Sequence, residues 1–206
     1  MVDYHSARWK ITIVEEIKRW SSQVLERPSP FFNGLPPCPY ARAAWVNNKV
    51  RVDFGDADRV VWHTQHWDDT ADLIILVAES SWDINKIEEW CRRTNKTVAD
   101  QDFVLMPFVP GEGIGTGQPD EEANDWEPIV DEDYAMVFIQ RLSDVNDASE
   151  VLEQSGYYKN CSAEFLKYVS DRRERFEHAW TQQEEGNEEA GQEEAGQDAS
   201  VHEGQD

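Results

Sequence analysis

The residue best suited to take part in a chemical reaction is a cysteine in a proline-rich segment, Cys38-Pro-Tyr-Ala41. It precedes a helix-prone run, and Pro39 suits the first helical position because proline lacks an N–H that the first turn would leave unpaired. Free N–H groups and the helix dipole at such a place favour the thiolate and lower the pKa of a cysteine. The segment therefore has the local geometry of a reactive thiol at Cys38, with Tyr40 and the helix start shaping its pocket. A buried cysteine in a tight, proline-built turn is the simpler interpretation, and the reactive thiol is the alternative.

The segment lacks two features of a glutaredoxin-like redox site. Ala41 stands where a second, resolving cysteine would follow three residues later, and no predicted strand precedes the motif. The remaining catalytic hypothesis pairs Cys38 as nucleophile with His63 as base. Asn33, Gly34 and Pro39 belong to the same segment and are candidate binding residues.

Two histidines lie three residues apart in Trp62-His63-Thr-Gln-His66-Trp67, on one face of a predicted helix. Imidazoles at this spacing hold a metal ion when further ligands approach them. No second ligand pair at short spacing accompanies them in the sequence. Packing beside the tryptophans is the simpler interpretation, and we expect neither a metal nor another cofactor.

Acidic residues dominate the chain, with 42 Asp and Glu against 19 Lys and Arg and a formal charge of −23. Phosphate-rich ligands require clustered cations, so this balance predicts no direct binding of nucleic acid. Residues 110–134 form a long connection with four glycines in residues 111–117 and eight acids in residues 120–133. Three of these acids, Asp120, Glu121 and Glu122, are candidate binding residues. Such a surface favours a basic protein partner.

One domain with a tail accounts for the 206 residues. The tail, 181–206, has nine acids, no Lys or Arg and a tandem Glu-Glu-Ala-Gly-Gln repeat, so we expect it to be disordered. Residues 1–180 hold all nine Trp, eight Phe and six Tyr, which supply a hydrophobic core. The first residues are polar and lack the basic and apolar regions of a secretory leader, so we expect none; no apolar run reaches membrane-spanning length. Its three cysteines are widely spaced, and we expect reduced thiols in a cytoplasm.

Hydrophobic periodicity predicts helices that alternate with strands. Predicted helices cover residues 12–26, 40–47 and 144–154, with three more that begin after Asp56 or Asp58, after Asp83 and after Ser162; predicted strands cover residues 49–54, 72–78, 103–109 and 135–142. Three parallel strands and one antiparallel partner under helices are the economical arrangement. We therefore expect an α/β or α+β fold with a four-stranded mixed sheet covered by helices. A ferredoxin-like or thioredoxin-like layer is the nearest known shape.

Particular residues predict where these elements begin, end and face the core. Thr12 and Glu15 form a capping-box pattern at the start of the first helix. Gly156 is placed to close the helix before it, and Ser162 to cap the last one. The positions expected to face inward on the first and last helices are Ile13, Ile17, Trp20 and Val24, and Phe165, Leu166, Val169 and Phe176.

The run Asn33-Gly-Leu-Pro-Pro-Cys-Pro-Tyr-Ala41 resembles a motif in uncharacterised proteins of marine tailed phages. The likeness extends over most of the folded part, including residues 103–108, 138–142 and 155–158. More distantly, the run is similar to Gly-Leu-x-x-Cys-Pro-Phe-Ala in a small bacterial family of unknown function, where Tyr40 is replaced by Phe. The resemblance implies that the chain has relatives among phage proteins. Neither group has an assigned activity, so the resemblance implies no particular reaction.

These observations together predict a non-enzymatic accessory or binding protein, encoded by a phage and acting in the host cytoplasm. It would engage a basic protein partner through its acidic surfaces. A thiol-dependent enzyme or redox protein that uses Cys38 is the first alternative, and a structural component of the virion is the second. The sequence has no Ser-His-Asp, Walker or kinase motif, and it leaves the oligomeric state open.

Overall fold

The structure is a computed structural model that describes residues 7–79, 82–108, 134–163 and 165–175. Most of the predicted acidic connection, with Asp120, Glu121 and Glu122, lies outside the described residues. The predicted tail, 181–206, lies outside them as well.

The described residues form helices and strands in the predicted order. The helices are α1 (Ala7–Trp20), α2 (Ala41–Val46), α3 (Ala57–Gln65), α4 (Ile87–Val98), α5 (Leu142–Gln154) and α6 (residues 165–175). The strands are β1 (Val50–Gly55), β2 (Leu73–Ala78), β3 (Phe103–Phe108) and β4 (Met136–Arg141). A π-helical turn (Ser21–Leu25) continues α1, and 3-10 turns occur at Ile84–Lys86, Ala99–Gln101 and Tyr157–Asn160.

The four strands form one mixed sheet in the order β1-β2-β4-β3. Strands β1 and β2 are parallel, whereas β4 is antiparallel to both β2 and β3. Strand β3 therefore runs parallel to β1 and β2, as the sequence predicted. Strands β2 and β3 with helix α4 make a split βαβ unit around β4, a unit also found in ferredoxin-like layers. The α/β class with a four-stranded mixed sheet is confirmed.

Helices cover both faces of the sheet. Ile74 and Leu76 of β2 pack with side chains of α3 and α4, on what we call the α3 face. Ile75 and Val77 pack with α1 and α2 on the opposite, α1 face. Because both faces are covered, residues 74–78 form a continuous buried run, as their apolar sequence predicted. Within the described residues, none of the helices has both the length and the hydropathy of a membrane span.

The described part of α1 begins at Ala7, so Thr12 lies inside the helix and does not cap it. The Thr12 hydroxyl instead donates to the Arg8 carbonyl within the helix, at 3.0 Å. Ile13 and Ile17 are buried as predicted. The π-helical turn then changes the helical phase, so that Leu25 is buried in place of the predicted Val24.

Three predicted helix boundaries are confirmed, and the start of α5 is shifted. Asp56 caps α3 through the Asp58 N–H at 3.2 Å, and Ser162 Oγ accepts the Phe165 N–H at 3.1 Å. Gly156 follows α5 with a φ of +76°. Helix α5 begins at Leu142 rather than at residue 144 because a carboxylate from before β3 caps it.

The carboxylate that caps α5 belongs to Asp102, which accepts the Ser143 N–H at 2.7 Å.

The last helix differs from its prediction on one face. Val169 is buried as expected, but Leu166 is 43% exposed and does not face the core. Phe176 lies outside the described residues.

Candidate functional site

Cys38 lies in the proline-rich turn that joins the π-helical turn to α2. Its N–H donates to the Leu25 carbonyl at 3.0 Å, and its own carbonyl accepts the Ala41 N–H at 3.1 Å. Helix α2 begins at Ala41 rather than at Pro39 and has only six residues. The predicted helix start is therefore displaced, and the helix after Cys38 is short.

Burial dominates the ionisation of Cys38. Its thiol packs against the apolar side chains of the α1 face, although the residue as a whole is only partly buried. Burial raises the pKa of the Cys38 thiol, and the charge of Glu26 raises it further. The N–H groups of Tyr40 and Ala41 act in the opposite direction. The predicted backbone donors are thus present, but desolvation outweighs them and keeps the thiol protonated at neutral pH.

The other candidate residues of this segment shape the turn. Asn33 and Gly34 have positive φ angles of 55° and 82°, a conformation open to glycine and tolerated by asparagine. The Gly34 N–H donates to the Ser29 carbonyl at 2.9 Å, which closes the turn. Tyr40 is 45% exposed and points its ring toward solvent. Pro39 lies between the thiol and the start of α2.

The 3-10 turn Tyr157–Asn160 holds the proline-rich segment from the other side. The Tyr157 hydroxyl donates to the Pro37 carbonyl, and its ring stacks on Phe32 with centroids 4.5 Å apart. Asn160 Nδ2 donates to the Pro30 carbonyl at 2.8 Å. The proline-rich segment and the 3-10 turn after α5 are therefore in contact with each other.

His63 lies on the opposite side of the sheet from Cys38. Its Nε2 is 2.9 Å from Asp53 Oδ2. Asp53 faces α3 because the residues on either side of it, Val52 and Phe54, pack on the α1 face. The sheet lies between the thiol and the imidazole, so the structure does not bring the predicted pair of Cys38 and His63 together.

Asp53 is the centre of a hydrogen-bonded cluster. Arg59 Nε donates to its Oδ2 at 2.6 Å, and the Phe54 N–H donates to its Oδ1 at 2.9 Å. Burial on its own would raise the pKa of Asp53. The hydrogen bonds from His63, the Phe54 N–H and Arg59, with the Arg59 charge, hold that pKa well below its ordinary range. Asp53 is therefore a permanent carboxylate that fixes the orientation of the imidazole.

A groove of about 340 Å³ opens beside this cluster, between β1 and α3. We call it the β1–α3 groove. Its polar and aromatic lining consists of Arg51, Asp53, Arg59, Trp62, His63, His66 and Asp68. The Trp62 ring, 40% exposed, lies under the Arg59 guanidinium at 4.1 Å and stacks on His66 at 4.7 Å. Arg51 Nε pairs with Asp68 at 2.9 Å, so each arginine of the groove has a carboxylate partner.

The two histidines are not arranged as a metal site. The Nε2 of His63 is occupied by Asp53, and His66 Nδ1 is 3.0 Å from the Trp62 carbonyl. In the described ranges, no three His, Cys, Asp or Glu side chains are grouped so as to hold a metal ion. The cluster instead offers charged and aromatic groups for contact with a ligand or a partner.

Sequence reasoning identified His63 but missed Asp53 and Arg59. Because residues 49–54 alternate between polar and apolar, Arg51 and Asp53 lie on one face of a strand. That alternation was the sequence signal from which Asp53 could have been identified. Arg59 and His63 lie four residues apart and so share one face of α3. The sequence does not specify that these two faces meet.

A second polar region lies at the end of the sheet where β2 and β3 begin. Asp72 precedes β2 and Asp102 precedes β3, while Asp144 and Asp147 lie in α5, which directly follows β4. We call these four residues the acidic end. Partial burial raises the pKa of Asp144, and the charges of Asp102, Asp72 and Asp147 raise it further, against the opposing effect of Arg141. Within the acidic end, the charges of three neighbouring carboxylates therefore disfavour the ionised form of Asp144.

The fold and these surfaces define an acidic α/β protein with a mixed sheet between two layers of helices. Comparison with protein-family models, with curated proteins and with solved structures found no match. Function is therefore inferred from the residues and their geometry.

Proposed function

We propose that the chain is a non-enzymatic accessory or binding protein whose acidic surfaces engage a basic protein partner. The observation that supports this proposal is the acidic end, where burial and, after it, the charges of three neighbouring carboxylates raise the pKa of Asp144. Lysine and arginine side chains of a partner would relieve that repulsion. Long-range attraction by the charge of −23 would also speed the encounter.

The state of Cys38 favours binding over thiol chemistry. A nucleophilic cysteine needs a low pKa or an adjacent base. Burial raises the pKa of Cys38 instead, and the nearest candidate base from the sequence, His63, faces the other side of the sheet. The first alternative, a thiol-dependent enzyme, therefore has less support than the binding function.

The resemblance of residues 33–41 to proteins of marine tailed phages is the reason to place the partner in a host cell. The cytoplasm is the proposed site of action, because the three cysteines are all free. A component of the virion is the competing proposal. It predicts that the chain sediments with purified particles, whereas an accessory protein stays in the supernatant.

Affinity capture from host lysate tests the binding function. The acidic-end variant carries Asp72→Asn, Asp144→Asn and Asp147→Asn. Its matched control removes the same charge from exposed residues on other helices, with Asp58→Asn, Glu88→Gln and Glu174→Gln. We expect the wild-type chain and the control to retain one basic partner at low salt, identified by mass spectrometry at a fixed molar ratio, and the acidic-end variant to lose it.

Salt provides the second measurement. Capture should fall steeply between low and physiological ionic strength, because exposed charges are screened over about 10 Å at 0.1 M. Capture that resists salt, or that is equal for the acidic-end variant and its control, would contradict the proposal. Shortened chains without residues 181–206 or 118–133 then measure what those acidic segments add.

A further inference from the structure

Strand β1 is an edge of the sheet and pairs, among the described residues, with β2 alone. In a parallel pair, alternate residues of an edge strand direct their N–H and C=O groups to the neighbour, and the residues between them direct these groups outward. The carbonyls of Lys49 and Gly55 both accept hydrogen bonds from the β2 side, at 3.3 and 2.9 Å. The residues that face outward are therefore Val50, Val52 and Phe54.

Side chains cover the two ends of this open edge and leave its centre free. The Phe54 N–H donates to Asp53 Oδ1 at 2.9 Å, and the Val50 carbonyl accepts from Arg51 Nη1 at 3.3 Å. Both contacts join neighbouring residues, which is one way in which edge strands are protected. Within the described part of the chain, no side chain contributes a hydrogen bond to the backbone of Val52.

Grooves flank the open edge on both faces of the sheet. The β1–α3 groove lies on one face, and a groove of about 500 Å³ lies on the other, lined in part by Val14, Lys18 and Trp45. Arg51 and Val52 line both grooves. The space beside β1 is thus open to another strand, whose alternate side chains would enter the two grooves.

Exposed apolar side chains border the same edge. Trp62 in the β1–α3 groove is 40% exposed. On α1, Ile11 is 65% exposed and lies three residues before Val14, which puts it on the stripe of the helix that faces the other groove. Apolar groups beside an open strand edge are typical of an interface.

The sequence of β1 is complementary to itself in the antiparallel direction. Val52 is the centre, with apolar Val50 and Phe54 two positions away on either side, Arg51 one position before it and Asp53 one position after it. When two copies pair about a two-fold axis at Val52, Arg51 of each copy lies opposite Asp53 of the other. Val52 then pairs with Val52, and Val50 with Phe54. These are the residues with outward backbone groups, as the hydrogen-bonded pairs of an antiparallel ladder must be.

We propose that β1 is a dimerisation edge, where the β1 strand of a second copy of this chain adds antiparallel and joins the two sheets. A second copy fits better than an unrelated peptide, because only a copy places a cation opposite Asp53 and an anion opposite Arg51 at once. The pairing replaces the contact of Asp53 Oδ1 with the Phe54 N–H and that of Arg51 Nη1 with the Val50 carbonyl, while Nη1 keeps its hydrogen bond to the Asn48 carbonyl at 2.7 Å. Asp53 Oδ2 stays with Arg59 and His63, and Arg51 Nε stays with Asp68.

Salt separates this proposal from the proposed function. Two copies with a charge of −23 each repel one another, so the dimer should become tighter as salt screens that repulsion. Binding of a basic partner should become weaker under the same change. Each proposal can therefore fail while the other stands.

Sedimentation equilibrium of the full chain tests the edge directly, at about 0.05 M and about 0.5 M NaCl. We expect a monomer–dimer equilibrium that shifts toward dimer at high salt. Val52→Pro should weaken dimerisation by about tenfold or more, because it removes an N–H that the second strand needs. Since that N–H does not bond to β2, the sheet of the monomer tolerates the proline. Val52→Thr keeps the N–H and the branched side chain, and it should dimerise like the wild type.

Cysteine cross-linking tests the register and does not depend on how Val52→Pro folds. Cα atoms of a hydrogen-bonded antiparallel pair are about 5.5 Å apart, within the range that a disulfide spans. Val52→Cys should therefore form a disulfide-linked dimer under mild oxidation, beyond any background from the native cysteines of the wild type. The control is Val46→Cys at a residue 76% exposed. A wild type that stays monomeric, a Val52→Pro dimer as tight as the wild type, or equal cross-linking at residues 46 and 52 would each overturn the proposal.

Discussion

Cys38 and Asp53 lie on opposite faces of the same sheet, and their environments shift their pKa values in opposite directions. Both groups are partly removed from water, and both accept hydrogen bonds from backbone N–H groups. Desolvation is the largest single influence on each of them and raises the pKa in both cases. At Cys38 desolvation determines the direction of the pKa shift, whereas at Asp53 the hydrogen bonds and the charge of Arg59 outweigh it.

The difference lies in the partners. Asp53 has an arginine at 2.6 Å and an imidazole at 2.9 Å, each of which stabilises the charged form. Cys38 has only two backbone N–H groups, and the nearby carboxylate of Glu26 opposes ionisation. Backbone donors before a short helix therefore do not activate a buried thiol without a cation beside it.

Removal of the carboxylate at the centre of the cluster should have the largest effect. We expect Asp53→Asn to lower the free energy of unfolding by about 2–3 kcal/mol, because hydrogen bonds to charged groups are lost and Arg59 and His63 keep no carboxylate. Urea denaturation measures this change. Asp58→Asn, an exposed acid on α3, is the control and should change stability by less than about 0.5 kcal/mol. Equal effects of the two variants would show that the cluster around Asp53 contributes no more to the free energy of unfolding than an exposed acid does.

The pH dependence of the same pair of proteins sharpens the comparison. The folded pKa of Asp53 is lowered, so its contribution to stability is complete above the unfolded pKa of about 4 and is lost as the pH falls toward the folded pKa. The stability difference between wild type and Asp53→Asn should therefore be constant between about pH 5 and 7 and shrink below about pH 4. Denaturation curves across this range test it. A difference that grows in acid would mean that the sign of the shift is wrong.

Much of the fold was predictable because the apolar residues at buried positions recur with the spacing of a helix or a strand. The apolar run at residues 74–78 predicted a strand covered on both faces, and Ile13 and Ile17 predicted the buried side of α1. The start of that helix could not be predicted, because Thr12 can cap a helix or bond back to the carbonyl four residues earlier with equal local geometry. The choice depends on residues outside the motif.

The candidate site was predictable only in part. His63 was recognised as a candidate site residue, but the structure places it beside Asp53 rather than Cys38, because the sequence does not specify which side of the sheet a residue reaches. Asp53 and Arg59 meet only through the packing of α3 on β1. The roles proposed for Asp120, Glu121 and Glu122 stay predictions, since these residues lie outside those that the structure describes.

The thiol side of the comparison is tested by alkylation. At neutral pH we expect iodoacetamide to modify Cys38 in the native protein at least about tenfold more slowly than a free cysteine, because only the thiolate reacts and burial disfavours it. The rate should rise with pH and show an apparent pKa above that of an ordinary thiol. Mass spectrometry identifies the modified residue, and the unfolded protein provides the reference rate. Rapid modification at neutral pH would instead favour the first alternative, a thiol-dependent enzyme, over the binding function.

The smallest expected effect concerns Asp144 in α5, a carboxyl whose pKa is shifted in the direction opposite to that of Asp53. The pKa of Asp144 is raised, by partial burial first and then by neighbouring carboxylates, so its charged form destabilises the fold. Asp144→Asn should therefore increase stability at pH 7 by about 0.5 kcal/mol, and the gain should vanish as the pH falls below about 4 and the wild-type acid becomes neutral. High salt should also reduce the gain, because it screens the repulsion from Asp72, Asp102 and Asp147. Thermal unfolding at two salt concentrations measures both effects. Loss of stability in Asp144→Asn would instead assign this side chain a favourable interaction with the N-terminus of α5, and the acidic end would then lack the strain that a basic partner is proposed to relieve.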